Sequence, residues 1–207
     1  MIIISVADML AAGNLRTIND CLHQDGVIAY PTDTVYGLGG NFYSLALMDR
    51  IDRLKNRRDQ PYSAAVGSLS MLESLAENIA GIFYDRLSGL LPGKFTFLFT
   101  ANPAIDRRLL KNSGKIGVRL PGLPGLLQLI GESKMPWVST SANRCGQPPL
   151  NDPLHIAHEF PDLDLLIDGG VLPPSLGSTM VDLTMAPPAL VRFGDDAEKF
   201  IEMMKHL

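Results

Sequence analysis

YPTDTVYGLGG, residues 30–40, is the stretch on which the interpretation of the whole chain depends. The apolar run at 27–30 leads into it and Pro31 follows, which predicts a buried strand that stops at the proline. Hydroxyls, a carboxylate and three glycines come next. One interpretation is a glycine-rich turn that only reverses the chain. The other is a strand-end loop whose hydroxyls and closely approaching backbone hold a polar ligand.

Helical and strand patterns interleave along the rest of the chain without strict alternation. Helical spacing or a capping residue predicts helices at 15–22, 44–55, from the capping box at 70–73, at 124–130, at 152–158 and from 195 onward. Short apolar or alternating runs predict further strands at 95–100, 116–120, 137–140, 165–167, 179–183 and 189–193. No repeat or linker divides the chain, so one mixed-sheet α/β or α+β domain over residues 1–207 is expected.

Length and composition exclude several classes of protein. The chain has 207 residues, is 46% hydrophobic and has a mean hydropathy of +0.12, which excludes global disorder. No run approaches the roughly 18 apolar residues of a membrane span. Asp8 interrupts the apolar N-terminus, which has no basic region before it and is not typical of a secretion signal. Cys21 and Cys145 are too far apart in sequence to suggest a disulfide framework or a metal pair, and we expect a soluble, cytoplasmic protein.

The charges are unevenly distributed. The net charge of −4 argues against a domain that coats nucleic acid. Ten of the 18 basic residues fall in two short segments. They are Arg50, Arg53, Lys55, Arg57 and Arg58, and then Arg107, Arg108, Lys111, Lys115 and Arg119. The two segments are either solvated faces or the walls of an electropositive cleft that suits a small anionic substrate.

The common catalytic signatures are missing from the sequence. It contains neither a dinucleotide-binding G-x-G-x-x-G nor a G-x-S-x-G nucleophile elbow. The stretch 92–96 differs from a P-loop because Phe95 stands where Ser or Thr is required. His155 and His158 are in the wrong order relative to Glu159 for a zinc protease. We therefore expect no resident metal site.

Two segments carry cations in positions that can be interpreted in two ways. The stretch 55–61 ends a predicted helix, where Lys55 and Arg57 either complement the helix dipole or form a phosphate clamp. Arg119 stands inside the apolar strand at 116–120, where an unpaired charge is costly. It therefore needs a partner, which is either an anionic ligand or a carboxylate of the chain itself.

Two further segments are rich in hydroxyl groups. STSAN at 139–143 follows a predicted strand, and GSTMVD at 177–182 begins another. Such side chains suit the binding of phosphate or carboxylate oxygens, although Ser and Thr in these places are equally compatible with solvent-facing strand positions.

Taken in order, these segments resemble the YrdC-like family, the threonylcarbamoyl-AMP synthases. The matching pieces are YPTDTVYGLG at 30–39, Lys55-x-Arg57, PGKFTFLF at 92–99, GVRLP at 117–121, STSAN at 139–143, GSTMVD at 177–182 and RFG at 192–194. Each piece is weak alone, but the ordered set covers about residues 25–194 and is specific. The resemblance implies the short single-domain form, with a twisted, mixed and mostly antiparallel sheet flanked by helices and a concave basic cleft.

The resemblance also implies a reaction. L-threonine, bicarbonate and ATP, with Mg²⁺ expected on the nucleotide, would give threonylcarbamoyl-AMP and pyrophosphate. Partner proteins would then transfer the threonylcarbamoyl group to tRNA, and the chain itself would have the opportunity to contact tRNA or double-stranded RNA. Such a nucleotidyl transfer needs alignment of reactants and stabilisation of charge rather than a covalent protein nucleophile.

Site residues follow from the resemblance position by position. The family signature places Lys55, Arg57, Ser141 and Asn143 around the ATP phosphates as catalytic groups, with Lys115 and Arg192 assisting the nucleotide. Threonine would be held by Thr32, Thr34, Arg119, Ser139 and Ser178, with Arg119 pairing its carboxylate.

The chain departs from the family pattern at several positions. Lys94 replaces a proline, Cys145 replaces a serine, and Gln60-Pro61-Tyr62 replaces a more usual Lys-Pro-Leu. A divergent paralogue that binds nucleotide or RNA without synthase activity is therefore the alternative. A third reading is carbamoyl-phosphate chemistry, as in hydrogenase maturation proteins of this fold. It is the weakest, because the chain has no room for their additional domains.

Overall fold

The computed structural model describes residues 1–57, 60–79 and 81–205, and Arg58 of the first basic segment lies outside them. Eleven strands of the described residues form one sheet in the order β1-β9-β2-β3-β8-β4-β7-β6-β10-β11, with β5 also paired to β6. The strands are β1 Ile2–Ser5, β2 Ile28–Tyr30, β3 Gly37–Gly39, β4 Ser63–Ala65, β5 Ala76–Glu77, β6 Phe95–Ala101, β7 Lys115–Arg119, β8 Trp137–Ser141, β9 Leu165–Asp168, β10 Thr179–Asp182 and β11 Ala189–Arg192.

The sheet is mixed, as the sequence predicts. Among the described strands, six of the ten pairings are antiparallel, and the parallel ones join β1 to β9, β2 to β9, β4 to β7 and β6 to β10. Early and late parts of the chain are therefore neighbours in the sheet.

Helices cover both faces of the sheet. They are α1 Ala12–His23, α2 Leu45–Lys55, α3 Leu69–Leu75, α4 Pro124–Ser133, α5 Pro153–Glu159 and α6 Ala197–Met204. Along β2, Ile28 and Tyr30 enter one apolar core with α1 and α4, whereas Ala29 enters the other with α2 and α3. This alternation is the period of two expected of a strand buried on both faces. None of the described helices is long and apolar enough to cross a membrane.

Local signals begin and end α2 where the sequence predicts, whereas the signal expected to begin α3 is not the one that the structure uses. The hydroxyl of Ser44 accepts a hydrogen bond from the Leu47 amide at 3.0 Å and begins α2, and Asn56 ends it with a φ of 50°. The predicted capping box at 70–73 is wrong. Ser68 is the N-cap of α3, because its hydroxyl accepts from the Met71 amide at 3.1 Å.

Strand β3 corrects the interpretation of the glycine-rich stretch. Residues 37–39 were expected in a loop, but they form a buried strand between β2 and β8. The ring of Tyr30 on β2 crosses this strand, and its hydroxyl donates to the Val138 carbonyl on β8 at 3.0 Å. A Cβ at Gly37 would lie 3.0 Å from the Tyr30 ring, and one at Gly39 would overlap the Val138 carbonyl oxygen. The glycines are therefore required by close packing. The short strands β1, β4 and β5 were also missed.

Replacing Gly39 by Ala should destabilise the protein by about 1–3 kcal/mol or more, because the new methyl group collides with backbone as well as with Tyr30. The free energy of unfolding from urea titration measures the effect. Gly131→Ala in α4 is the matched control, since nothing lies within 4 Å of its added Cβ. That variant should gain about 0.5–1 kcal/mol. Equal effects of the two substitutions would contradict the packing argument.

Candidate active site

A cavity of about 210 Å³ crosses the middle of the sheet. Seven consecutive strands of the sheet order contribute to its wall, β3, β8, β4, β7, β6, β10 and β11. The lining residues are Thr32, Val35, Tyr36, Gly37, Arg57, Pro61, Tyr62, Ser63, Thr96, Arg119, Ser139, Thr140, Ser141, Pro149, Leu176, Gly177, Ser178, Met180 and Arg192. Three of them are arginines and none is an acid, so the wall offers hydrogen-bond donors and positive charge to an anion.

Arg119, at the end of β7, is one of the three arginines. Its Nη2 donates to Asp33 Oδ1 at 2.5 Å and to Thr34 Oγ1 at 2.8 Å. The sequence requires a partner for this charge, and the structure places Asp33 there. Two polar atoms of the pair have no hydrogen-bond partner among the described residues, the buried Arg119 Nε and Asp33 Oδ2. Arg119 is thus fixed by the chain while part of its guanidinium still faces the cavity.

Arg192 on β11 and Ser178 before β10 form another part of the cavity wall. Arg192 Nη2 donates to Ser178 Oγ at 2.8 Å, and its Nε donates to the Ser178 carbonyl at 3.0 Å. The same hydroxyl lies 2.8 Å from Thr96 Oγ1. Partial burial and then the charge of Arg119 lower the pKa of Arg192, so the two cations repel each other across the site. An anion between them would relieve that repulsion.

Lys55, at the end of α2, is almost fully buried and does not line the cavity. Its Nζ donates to the Ser141 carbonyl, to the Asn143 carbonyl at 2.8 Å and to Asn143 Oδ1 at 3.0 Å. An ammonium group has three donors, so all of them are used on the segment that follows β8. Ser141 Oγ also donates to Asn143 Oδ1, at 2.5 Å. The lysine therefore fixes the backbone that carries Ser141 into the cavity.

Burial lowers the pKa of Lys55 to about 8, and the charge of Arg57 acts in the same direction, while Cys145 opposes them. The ammonium is thus only modestly favoured over the free amine at neutral pH. Its protonation state is sensitive to any further charge brought into the site.

Arg57 follows α2 and is the third arginine of the cavity wall. Its guanidinium lies over the Tyr62 ring, with 4.6 Å from Cζ to the ring centroid. Nη2 donates to the Pro61 carbonyl at 2.8 Å, and Nη1 donates to Thr140 Oγ1 at 3.2 Å. The buried Nε has no partner among the described residues.

The structure brings most of the predicted site residues together. Seven line the cavity: Thr32, Arg57, Arg119, Ser139, Ser141, Ser178 and Arg192. Thr34, Lys55 and Asn143 stand behind the wall, each hydrogen-bonded to a residue that lines it. Lys115 lies apart at the other end of β7, where its Nζ is 2.7 Å from Asp182.

Sequence reasoning missed several groups of the cavity wall. Tyr62 was noted only as a departure from the family pattern, and Ser63, Thr96 and Met180 were not proposed as site residues. Asp33 was not identified as the partner of Arg119. Thr96 carried the same signal as Arg119, a polar side chain buried within an apolar strand. Ser63 lies beside Ser139 on the neighbouring strand. This neighbour could not be predicted, because strand β4 itself was not predicted.

The described residues contain no group of three or more His, Cys, Asp or Glu side chains that could hold a metal ion. His155 and His158 are exposed on α5. In the part of the chain that the structure describes, the cavity wall offers hydroxyls but no carboxylate, so these residues form no cage of ligands for a magnesium ion.

The chain is thus a mixed α/β protein whose central cavity is lined by hydroxyl groups and arginines. Comparison with known proteins makes this class specific. The family model Sua5_yciO_yrdC, described as telomere recombination, matches residues 20–194. The chain therefore belongs to the Sua5/YciO/YrdC family.

Some of the similar proteins are named as enzymes and others are uncharacterised. A threonylcarbamoyl-AMP synthase of Pyrococcus abyssi is 31% identical over 206 residues, which is 97% of this chain and 61% of that protein. The crystal structure of P. abyssi Sua5 complexed with L-threonine matches with a TM-score of 0.89 and 30% identity, over 98% of this chain and 61% of that one. The uncharacterised protein YciO of Escherichia coli is 33% identical, over 90% of this chain and 93% of its own length. The chain thus spans about three fifths of the Pyrococcus synthase but nearly all of YciO.

Replacing Asp33 by Ala should destabilise the protein by about 2–4 kcal/mol, because it leaves the largely buried guanidinium of Arg119 without its carboxylate. Urea denaturation measures the loss. Asp106→Ala is the control, since Asp106 and Arg108 form a pair on the surface, and it should leave the unfolding midpoint unchanged. A Asp33→Ala protein as stable as the control would show that the pair contributes nothing.

Proposed function

We propose that the chain is an L-threonylcarbamoyladenylate synthase, a nucleotidyltransferase that converts L-threonine, bicarbonate and ATP to threonylcarbamoyl-AMP, pyrophosphate and water. The observation that carries the proposal is the convergence of Arg57, Arg119 and Arg192 with hydroxyl groups on one cavity, which no acid among the described residues lines. The names of the synthase relatives and the L-threonine complex of a similar structure support the same assignment.

The two sides of the cavity would hold the two reactants. Arg119 would pair with the threonine carboxylate through the part of its guanidinium that Asp33 leaves free. Ser139, Ser178 and Thr32 would accept or donate to the amino acid, and Thr34 would hold Arg119 in place. Each of these groups is already fixed by the protein, so little ordering would accompany binding.

The nucleotide would lie toward Arg57, Ser141 and Arg192. Lys55 and Asn143 would keep the 141–143 backbone rigid beneath the phosphates, and Lys55 would add positive charge from behind the wall. Lys115 would assist only from a distance, since it is paired with Asp182. Mg²⁺ would be held by the phosphate oxygens of ATP and water rather than by carboxylates of this chain.

The chemistry asks for alignment and charge stabilisation. Threonine, carboxylated on its amine by bicarbonate with loss of water, attacks the α-phosphorus through a carbamate oxygen, and pyrophosphate leaves. Charge develops on the phosphate oxygens, and preorganised guanidinium and hydroxyl groups stabilise it. No side chain has to form a covalent bond.

The proposal includes the setting of the enzyme. Residues 1–207 would form one domain, because β1 pairs with β9 and β10 with β6, which interleaves both ends of the chain in one sheet. The product would pass, in the cytoplasm, to proteins that modify tRNA. The alternative is a divergent paralogue that binds nucleotide or RNA without making this product.

Pyrophosphate release by the purified protein tests the proposal. Release from ATP should require both L-threonine and bicarbonate, and mass spectrometry should find the carbamoyl-adenylate. Arg119→Ala and Lys55→Ala should each lower kcat/KM by about 10- to 100-fold, the loss expected for a charged hydrogen bond. Arg108→Ala, on the surface, is the control. Nucleotide binding without release under any condition would favour the paralogue.

Lys55 makes the pH dependence of this activity specific. Because its pKa is about 8, kcat/KM for ATP should fall as the pH rises through 8, when the free protein loses the ammonium. This loss would not reflect unfolding. Because the pKa of buried Lys55 lies below the pKa of lysine in the unfolded chain, protonation of the amine lowers the free energy of unfolding at neutral pH. This penalty disappears as the pH rises from about 8 to the pKa of the unfolded lysine.

Lys55→Arg should move this basic limb to higher pH, since arginine stays protonated. Lys199→Met, which alters an exposed pair with Asp196, should leave the limb in place. A limb that is the same in Lys55→Arg as in the wild type would assign it to another group.

A further inference from the structure

Tyr62 stands in the segment that departs most from the family pattern, and it has two contacts that point in opposite directions. Its ring is buried beneath the guanidinium of Arg57. Its hydroxyl points to the far side, where it donates to Asp52 Oδ1 at 2.5 Å. The face of the ring is therefore turned to the cation and the phenol is used for anchoring.

The Asp52 carboxylate that anchors the Tyr62 hydroxyl is itself held by a second residue. Asp52 Oδ2 accepts from Lys111 Nζ at 2.7 Å, so both oxygens of the carboxylate are engaged. Lys111 belongs to the second basic segment and lies outside the cavity wall. Asp52 also accepts the Arg57 amide through its backbone carbonyl, at 2.9 Å. One residue of α2 thus holds both the backbone of Arg57 and the ring under its side chain.

The Tyr62 ring helps to hold the Arg57 side chain in one orientation. Arginine loses rotamer freedom when its side chain is fixed, and an aromatic face offsets part of that loss. The polar contacts of its guanidinium with Pro61 and Thr140 lie at the edges of the plane. The ring of Tyr62 supports the flat side, which hydrogen bonds within the plane do not reach.

We propose that Tyr62 is a positioning residue that holds the guanidinium of Arg57 toward the cavity, and that Asp52 and Lys111 fix the ring that does so. For the identity of the anion that Arg57 meets, a phosphate group of ATP, this inference rests on the proposed function. The face of the ring is the active feature, so Phe retains the effect and Leu loses it.

The first test follows Arg57 directly and needs no ligand. In the NMR spectrum of the wild type, the Arg57 side-chain signals, assigned with Arg57→Lys, should be displaced by the Tyr62 ring current. Tyr62→Phe should keep most of that displacement and Tyr62→Leu should abolish it. Unmoved Arg57 signals in Tyr62→Leu would overturn the proposal, whether or not the protein is a synthase.

The second test measures the consequence for binding. Calorimetric titration with a non-hydrolysable ATP analogue should give about tenfold weaker affinity for Tyr62→Leu and a change within about twofold for Tyr62→Phe. In turnover, Tyr62→Leu should raise KM for ATP more than it lowers kcat. Tyr84→Leu, which removes an exposed tyrosine that donates to Glu73, is the matched control and should change neither quantity. Wild-type affinity in Tyr62→Leu would overturn the proposal.

A second variant covers the case in which Tyr62→Leu does not fold. Asp52→Ala keeps the ring but removes its anchor. It should reduce the Arg57 ring-current displacement and weaken the analogue by less than Tyr62→Leu does, and to about the same extent as Tyr62→Phe, which removes the same hydrogen bond and keeps the ring. A wild-type ring-current displacement in both of these variants would overturn the role given to Asp52. If the wild type binds no nucleotide, the proposed function fails, and the NMR result still decides the role of Tyr62.

Discussion

The close approach of β3 to its neighbours is the constraint on which the site depends. Tyr30 reaches across this strand to the Val138 carbonyl, and only glycine at 37 and 39 leaves room for the ring and for β8. The same closeness draws the hydroxyl-rich residues 31–36 into the middle of the sheet instead of leaving them at its rim. Thr34 and Asp33 consequently meet Arg119 on β7, several strands away in the sheet order. The close packing of β3 thus accompanies the meeting of these residues at the cavity wall.

The cations in and behind the cavity wall are held by the protein in different ways. Lys55, behind the wall, donates all its hydrogen bonds to carbonyl and amide oxygens. In the wall, Arg57 stacks on an aromatic ring and Arg119 is paired with a carboxylate. Fixing each cation separately allows like charges to stand around one small cavity before any ligand arrives. Because their orientation is set in advance, binding of a ligand would lose little free energy to the ordering of these side chains.

Sequence reasoning succeeded where a signal was local and failed where it depended on packing. The run at 27–30, the Ser44 cap and the alternation at 95–100 each announced their elements. The glycines of β3 could not be distinguished from a turn, because their requirement comes from Tyr30 and Val138. The strand position of Arg119 showed that it needs a partner, but Asp33 lies 86 residues away in the sequence and was not identifiable. The contact of Tyr62 with Asp52 likewise appears only in three dimensions.

Strand β11 has a consequence for how the protein folds. Arg192 on this strand lines the cavity and donates hydrogen bonds to Ser178, whereas Thr32, which also lines the cavity, comes from near the start of the chain. A growing polypeptide cannot form the cavity until both segments have been synthesised and paired through the sheet between them. Pairings between such distant segments are slow to form, since chain entropy opposes them. A ligand that filled the cavity would meet a wall built from seven strands, and it would therefore stabilise the finished sheet as a whole and none of its partly folded precursors.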